Sequence, residues 1–384
     1  MNASARRAFV AAAALALLVA FGGTSAVSAA PVATNGEAVT VAAGPQPGLR
    51  KDCRPWTPRG LSFFGRLVPR GWQTDQGTMA AQAAYSQWAP DAVRALGGDT
   101  LRLQVGMPFL DPQSPAYNAG YLDEVRQAVA QARGQHLVVI LSMQWEGRTG
   151  VKPVEMLPKD SALRAWGQLG PAFANDLGVV YELFNEPVSP PQAGPGFWAA
   201  WRGGHQAIID ALRRQQVRNT LLVDGLYGAK LLEGAPELSD PLQRLAYGVH
   251  PYFGTDLNTP ALWDAHFGRF AERHAVLVTE WSHAPRDCDS SDGATVDRFV
   301  DYLAQRRIGL IGYGADERNG GRLPVIDGDR SAHQLRRQGL HRPGCRPRRR
   351  DPPTFPARGA GRRAVGACRA RRLPDALSPI PPAP

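Results

Sequence analysis

Two glutamates follow short apolar runs. One lies in Val179-Val180-Tyr181-Glu182-Leu183-Phe184-Asn185-Glu186-Pro187, the other in Ala275-Val276-Leu277-Val278-Thr279-Glu280-Trp281. Each run reads as a buried strand that delivers a carboxylate at its C-terminal tip. Two carboxylates facing one substrate are what acid-assisted glycosidic cleavage requires. The acid must hold its proton near neutral pH, which burial or a neighbouring charge arranges. Asn185 can donate to a sugar hydroxyl beside the breaking bond, and Pro187 stops the strand. Each signal has an ordinary explanation when it stands alone. Asn-Glu-Pro is also a turn sequence, and a strand-end glutamate is also an ion-pair partner. Their pairing on the fourth and seventh of eight strand-like runs favours the chemical reading.

Those eight runs are Leu61–Gly65, Thr100–Val105, Leu137–Met143, Val179–Phe184, Thr220–Asp224, Ala246–His250, Val276–Thr279 and Ile308–Tyr313. Helix-like stretches separate them: Ala83–Leu96, Tyr121–Arg133, Asp160–Asn175, Phe197–Gln215, Pro260–Arg273 and Ala294–Arg306. The stretch from Gly225 to Leu245 is the weakest helix among them. Eight strand–helix units predict a (β/α)₈ TIM barrel, whose active sites form at the C-terminal strand ends. No GxGxxG, P-loop or GxSxG motif is present, which argues against an open doubly wound sheet. A final helix should follow the eighth strand, after about residue 325. The sequence there is a poor helix former, so the last helix is expected to be missing or defective.

The formal net charge of +10 invites a nucleic-acid ligand, but its distribution excludes that reading. From Arg330 onward there are 14 Arg and no Lys against Asp351 and Asp375, leaving the rest of the chain near neutral. This basic, Pro-rich tail (329–384) reads either as a disordered extension or as out-of-frame translation of a GC-rich gene. Translating the other frames past codon 316 distinguishes the two. At the other end, Arg6-Arg7, an apolar stretch and small residues to Ala30 form a signal peptide over 1–30, predicting a secreted protein. No later run is long enough to span a membrane. Residues 31–57 read as a leader or linker, and 58–328 as the folded domain. Cys53 and Cys288 are candidates for a disulfide, with two unpaired thiols as the alternative. No His/Cys cluster suggests a metal site.

The residues from about 58 to 316 resemble glycoside hydrolase family 5, the cellulase-type (β/α)₈ enzymes. Leu183-Phe184-Asn185-Glu186-Pro187 matches the family's acid/base motif, and Thr279-Glu280-Trp281 its nucleophile. Gly248-Val249-His250-Pro251-Tyr252 matches its His-x-Tyr pair, and Leu101-Arg102-Leu103 its strand-two arginine. The resemblance implies that Glu280 attacks the anomeric carbon while Glu186 protonates the leaving oxygen. Arg102 would keep Glu280 ionised, Tyr252 would orient it, and His250 would bond the sugar or the acid/base. As structural residues, Arg102 would be an ion-pair partner at the barrel mouth, and His250 and Tyr252 packing groups.

Two departures stand out. Where the family carries a histidine after strand three, beside the substrate, this chain has Ser142-Met143-Gln144-Trp145; Gln144 is nearest that place and can hydrogen-bond a substrate hydroxyl but cannot titrate. Where the family carries a tryptophan after strand eight, this chain has Gly312-Tyr313-Gly314-Ala315, and Tyr313 is the available substitute. Trp145 and Trp281 are the best-placed sugar-stacking groups, with Trp72 and Tyr227 behind them; Trp198, Trp201 and Trp263 read as core. The expectation is an exported, retaining glycoside hydrolase acting on a β-linked oligo- or polysaccharide, needing neither metal nor organic cofactor. A catalytically impaired carbohydrate-binding protein and a transglycosylase are the alternatives.

Overall fold

The structure, a computed structural model, describes residues 37–42, 44–72, 88–145, 151, 155–253, 257–281 and 293–315. The segments read as signal peptide and basic tail, Cys288 and the place of the final helix lie outside them. Residues 39–55, taken above as leader, instead form a three-stranded antiparallel sheet of β1 (Val39–Ala42), β2 (Gly48–Lys51) and β3 (Arg54–Pro55). Their alternation is too short to stand out in the sequence.

Eight parallel strands close into a barrel: β4 (Arg59–Arg66), β5 (Thr100–Gly106), β6 (Val138–Gln144), β7 (Val179–Glu182), β8 (Leu221–Asp224), β9 (Leu245–Val249), β10 (Val276–Trp281) and β11 (Gly309–Ala315). They are the eight runs expected. Buried on both faces, they carry almost unbroken apolar residues. The helices between them are α1 (Trp88–Ala95), α2 (Met107–Leu110), α3 (Tyr121–Gly134), α4 (Asp160–Ala172), α5 (Pro195–Arg214), α6 (Leu226–Ala229), α7 (Pro260–Trp263), α8 (Arg269–Ala271) and α9 (Gly293–Arg306). A π-helical turn, Asp264–Gly268, joins α7 to α8. Between β8 and β9 there is only the four-residue α6, so the weakest expected helix does not form.

Strand alternation sorts the core into two layers. One lies between strands and helices and includes Leu101, Leu103, Val139, Leu141, Tyr181, Val223, Trp166 and Trp201. The other fills the barrel: Val138, Ile140, Val180, Leu222, Ala246, Leu277 and Ile311. Val39, Leu49 and Trp56 belong to this inner layer, so the small sheet plugs the N-terminal end of the barrel. Hydrogen bonds to the main chain of β1 fix the plug: the Val39 N–H donates to Leu177 O at 2.9 Å, and the Thr220 hydroxyl donates to Val39 O at 2.8 Å. With that end filled by hydrocarbon, the polar lumen residues lie toward the other end. Among the described residues no helix is long and apolar enough to cross a membrane.

Candidate active site

Above the inner apolar layer, the strand alternation that turns Val180 and Ile140 inward turns polar residues inward one step later. The deepest is Arg102 on β5, wholly buried. Its Nε donates to Glu182 Oε2 at 2.6 Å and its Nη1 to Glu280 Oε2 at 2.7 Å. Nη1 also reaches Ser62 Oγ (3.0 Å), and Nη2 reaches Ser142 Oγ (2.9 Å), Glu182 Oε1 (2.9 Å) and Asn185 Oδ1 (2.6 Å). Every nitrogen of the guanidinium is engaged. Burial opposes its charge, but Glu182 and Glu280 outweigh that and raise its pKa well above the usual value.

Glu280 reaches the lumen through an irregularity. On β10 the pairing with β11 shifts between Val278 and Trp281. This bulge lets consecutive residues face inward: Thr279 Oγ1 contacts His250 Nε2 at 2.9 Å, while Glu280 meets Arg102. The other oxygen of Glu280 accepts from the Tyr252 hydroxyl at 2.9 Å. Burial and the Glu280 charge hold that phenol well above its ordinary pKa, so it donates. The bulge also turns Trp281 outward. Its ring packs on Phe253 (5.3 Å) and Phe299 (5.1 Å) and is 7 % exposed, which leaves little face for a sugar. Trp281, expected as a stacking group, thus lies mostly against other aromatic rings.

Glu186 follows β7 in a left-handed conformation, φ 50°. Such backbone is strained for a residue with a Cβ and persists only where the surroundings enforce it. Its N–H donates to Asp224 Oδ2 at 3.1 Å. Its side chain is 29 % exposed, and Oε1 lies 2.9 Å from His250 Nδ1. An oxygen of Glu186, a ring nitrogen of His250 and an oxygen of Glu280 all lie within 4.8 Å of one another. The two sequence-selected glutamates therefore meet at one place, with Arg102, Asn185, His250 and Tyr252 around them.

Trp145 stacks on Phe184 (5.7 Å between centroids, 9° between planes) and donates its ring N–H to Asn185 O. It is 9 % exposed, so it braces the Asn-Glu-Pro turn more than it offers a platform. Gln144 is wholly buried, with Nε2 donating to Ser142 Oγ at 2.8 Å. Tyr313 stands edge-on to Tyr252 at 6.2 Å. Trp72 meets Phe109 edge-on at 4.8 Å, and Tyr227 lies under the Lys230 ammonium at 5.0 Å. Trp201 and Trp263 are core residues; Trp198, partly buried, packs edge-on to Trp201 at 5.4 Å.

Two acids at the site were missed. Glu182 sits inside an apolar run, where its alternation with Val180 points it inward; a charge so placed needs a buried cation. Burial works against its ionisation, yet Arg102 prevails and holds the carboxyl down at about 2. Asp224 ends β8 much as Glu280 closes the apolar run of β10, and the same strand-end signal could have found it. Burial first, then the Glu182 charge, push its pKa well above the ordinary carboxyl value. Burial disfavours charge on His250, but Glu280 above all drives its pKa up. Carboxylate and imidazole donors converge in two groupings, Glu182–Asp224–His250 and Glu186–His250–Glu280. The Arg102 guanidinium already occupies the cationic place between Glu182 and Glu280, which disfavours a metal ion beside them.

Cys53 is disulfide-bonded, and its partner lies outside the described residues.

Residues 61–319 match the family model described as Cellulase (glycosyl hydrolase family 5). Endoglucanase E-5 of Thermobifida fusca is 26 % identical over 215 residues, covering 52 % of this chain and 42 % of that protein. Endoglucanase C of Evansella cellulosilytica is 22 % identical over 311 residues, covering 71 % and 35 %. The chain thus spans well under two thirds of the length of these relatives. Among solved structures, the catalytic domain of the major endoglucanase from Xanthomonas campestris superposes with a TM-score of 0.57 at 18 % identity, covering 73 % of this chain and 93 % of that one. A β-glucanase from Saccharophagus degradans in complex with cellotetraose gives 0.58 at 21 %, covering 76 % and 88 %.

Proposed function

The chain belongs to glycosyl hydrolase family 5, and from that premise we propose that it is an exported, retaining glycosidase cleaving β-linked glucan by double displacement. The approach of Glu186 and Glu280 carries the reading. Oxygens of the two lie within 4.8 Å, whereas inverting enzymes hold their carboxyls about 6.5–9.5 Å apart to admit a water between them. Glu280 attacks the anomeric carbon as Glu186 gives its proton to the leaving oxygen; water then attacks the glycosyl ester, and Glu186 takes the water's proton. Arg102 and Tyr252 each hold one oxygen of Glu280. Together they hold it in place and aim it. His250 braces the partly buried carboxyl of Glu186. The similar proteins, two endoglucanases and a β-glucanase solved with cellotetraose, support glucan as the substrate.

The decisive experiment follows the anomeric proton by NMR during cleavage of cello-oligosaccharides. β-Product forming first supports retention; α-product first refutes it. Glu280→Gln should reduce kcat by at least about 10³-fold while the far-UV spectrum stays unchanged. Activity surviving that change sinks the nucleophile assignment. Binding of cello-oligosaccharide without any cleavage by the unaltered protein would support the carbohydrate-binding alternative.

A further inference from the structure

Gln104 has no part in the chemistry above, yet it occupies the lumen. On β5, Leu101, Leu103 and Val105 belong to the outer layer, so Arg102 and Gln104 face inward. Gln104 lies one step beyond Arg102, toward the C-terminal end of the strand and the mouth. Its partner in register on β6 is Ser142, and Gln144 lies two residues further along the same inward face. Ser142 Oγ already receives Arg102 Nη2 and Gln144 Nε2. Gln104 is wholly buried, and neither its Nε2 nor its Oε1 has a hydrogen-bond partner among the described residues; the Oε1 of Gln144 has none either. Arg102 cannot supply one, since all its nitrogens are committed. Burying an unpaired carboxamide is costly, and native proteins rarely leave one without a reason.

We propose that Gln104 and Gln144 form a carboxamide cradle that binds neighbouring free hydroxyls of a neutral sugar ring beside the cleavage point. The proposal rests on the glycan reading and names which part of the glycan the site selects. The chemistry matches. A carboxamide carries a donor and an acceptor side by side, and a vicinal diol returns one hydroxyl that accepts and one that donates. A hydroxyl carrying an acyl or methyl group has no proton to give a carbonyl oxygen, so substituted rings are disfavoured. Neither Gln titrates, so the selection is independent of pH.

The test uses the full chain with Glu280→Gln, titrated by calorimetry with cellotetraose and with analogues each lacking or methylated at one hydroxyl. Adding Gln104→Leu should weaken cellotetraose roughly tenfold or more. At least one deoxy analogue should bind equally well with Gln104 in place and after Gln104→Leu, because the lost hydroxyl and the lost carboxamide are the same contact. A fold-only role for Gln104 would weaken every analogue by the same factor, and that overturns the proposal, as does unaltered or undetectable cellotetraose binding. If Gln104→Leu does not fold, the analogue panel on the protein with Gln104 intact decides: uniform affinity across it overturns the cradle. Hydrolysis is assayed separately with Glu280 intact. Cleavage with no Gln104 dependence of binding sinks the cradle and leaves the glycosidase; Gln104-dependent binding without cleavage does the reverse.

Discussion

The Arg102 guanidinium lies between Glu182 and Glu280, 2.6 Å from one carboxylate and 2.7 Å from the other, all three side chains shut off from solvent or nearly so. One cation therefore serves two anions of different purpose. Glu182 fixes the guanidinium; Glu280 faces the other carboxyl of the site. The arginine transmits the rigidity of the barrel wall to the group proposed as nucleophile.

Removing that cation should hurt the fold before it hurts the chemistry. Arg102→Met deprives two buried carboxylates of the guanidinium they share, and a broken buried pair costs about 3–5 kcal/mol. Arg102→Met with Glu182→Leu should recover part of the loss, since one orphaned charge goes with it. Urea unfolding of the two single variants and the double variant measures the coupling. Simple additivity would show that the pair is not energetically linked.

The same pair should govern acid unfolding. Glu182 has its carboxyl lowered from 4.5 to about 2 in the folded state. A depressed carboxyl contributes stability that is present above its unfolded pKa and is lost as pH falls through the folded one. The window is thus from about pH 4.5 to about pH 2, and the contribution is of order 3 kcal/mol. Glu182→Gln should be less stable than the unaltered protein at pH 7, and the gap should close across that window. A gap independent of pH would mean that the ion pair is not its source.

Asp224 should behave oppositely. Its folded pKa is raised above the ordinary 3.8. A raised carboxyl stabilises the fold at low pH, and that contribution fades as pH rises toward the folded value. Asp224→Asn does not titrate and still accepts from the Glu186 N–H. Its stability relative to the unaltered protein should therefore increase as pH rises from about 3.8 toward neutrality. The carboxyl also dictates its neighbour: a Cβ on Gly248 would stand 2.0 Å from Asp224 Oδ1. Gly248→Ala should cost about 1–3 kcal/mol by overpacking, and Asp224→Ala should relieve much of it. Thermal denaturation across the pH series checks both expectations.

How far the sequence reveals this depends on what kind of signal each residue leaves. The eight strands were legible because burial on both faces makes each an apolar run, and the periods between them suit helices. Glu186 and Glu280 were legible because a charge closing such a run is conspicuous. Glu182 was not, because it lies shortly before Glu186 in the same run and its neighbour absorbs the attention. Gln104 left no signal, since an amide in a buried strand becomes notable only once its partners can be counted. The outward turn of Trp281 comes from a bulge at Thr279–Glu280, and a bulge is a pairing event between strands. The sheet at 39–55 owes its place to contacts with strands 100 or more residues away, such as Thr220 with Val39.

The strained backbone of Glu186 has a matching partner in α6. Tyr227, Gly228 and Ala229 are all left-handed, at φ 59°, 62° and 58°. Each of the three bonds to the site's main chain or its flank. The Tyr227 N–H donates to Ser189 Oγ at 3.0 Å, the Gly228 N–H to Pro187 O at 3.0 Å, and Ala229 O accepts from the His250 N–H at 2.8 Å. The turn thus ties the segment after Glu186 to the strand end carrying His250. Holding a non-glycine residue left-handed costs about 1–2 kcal/mol, so the surroundings must enforce it. Ser189→Ala removes one tether without touching either glutamate. It should lower kcat about tenfold at nearly constant KM, because misplacing the acid affects the transition state more than the bound sugar. Ala229→Gly keeps the tethers and relieves strain, so it should leave kcat intact and melt no lower. A Ser189→Ala protein that loses stability with its kcat unchanged would show the turn to be scaffolding and not a positioning device.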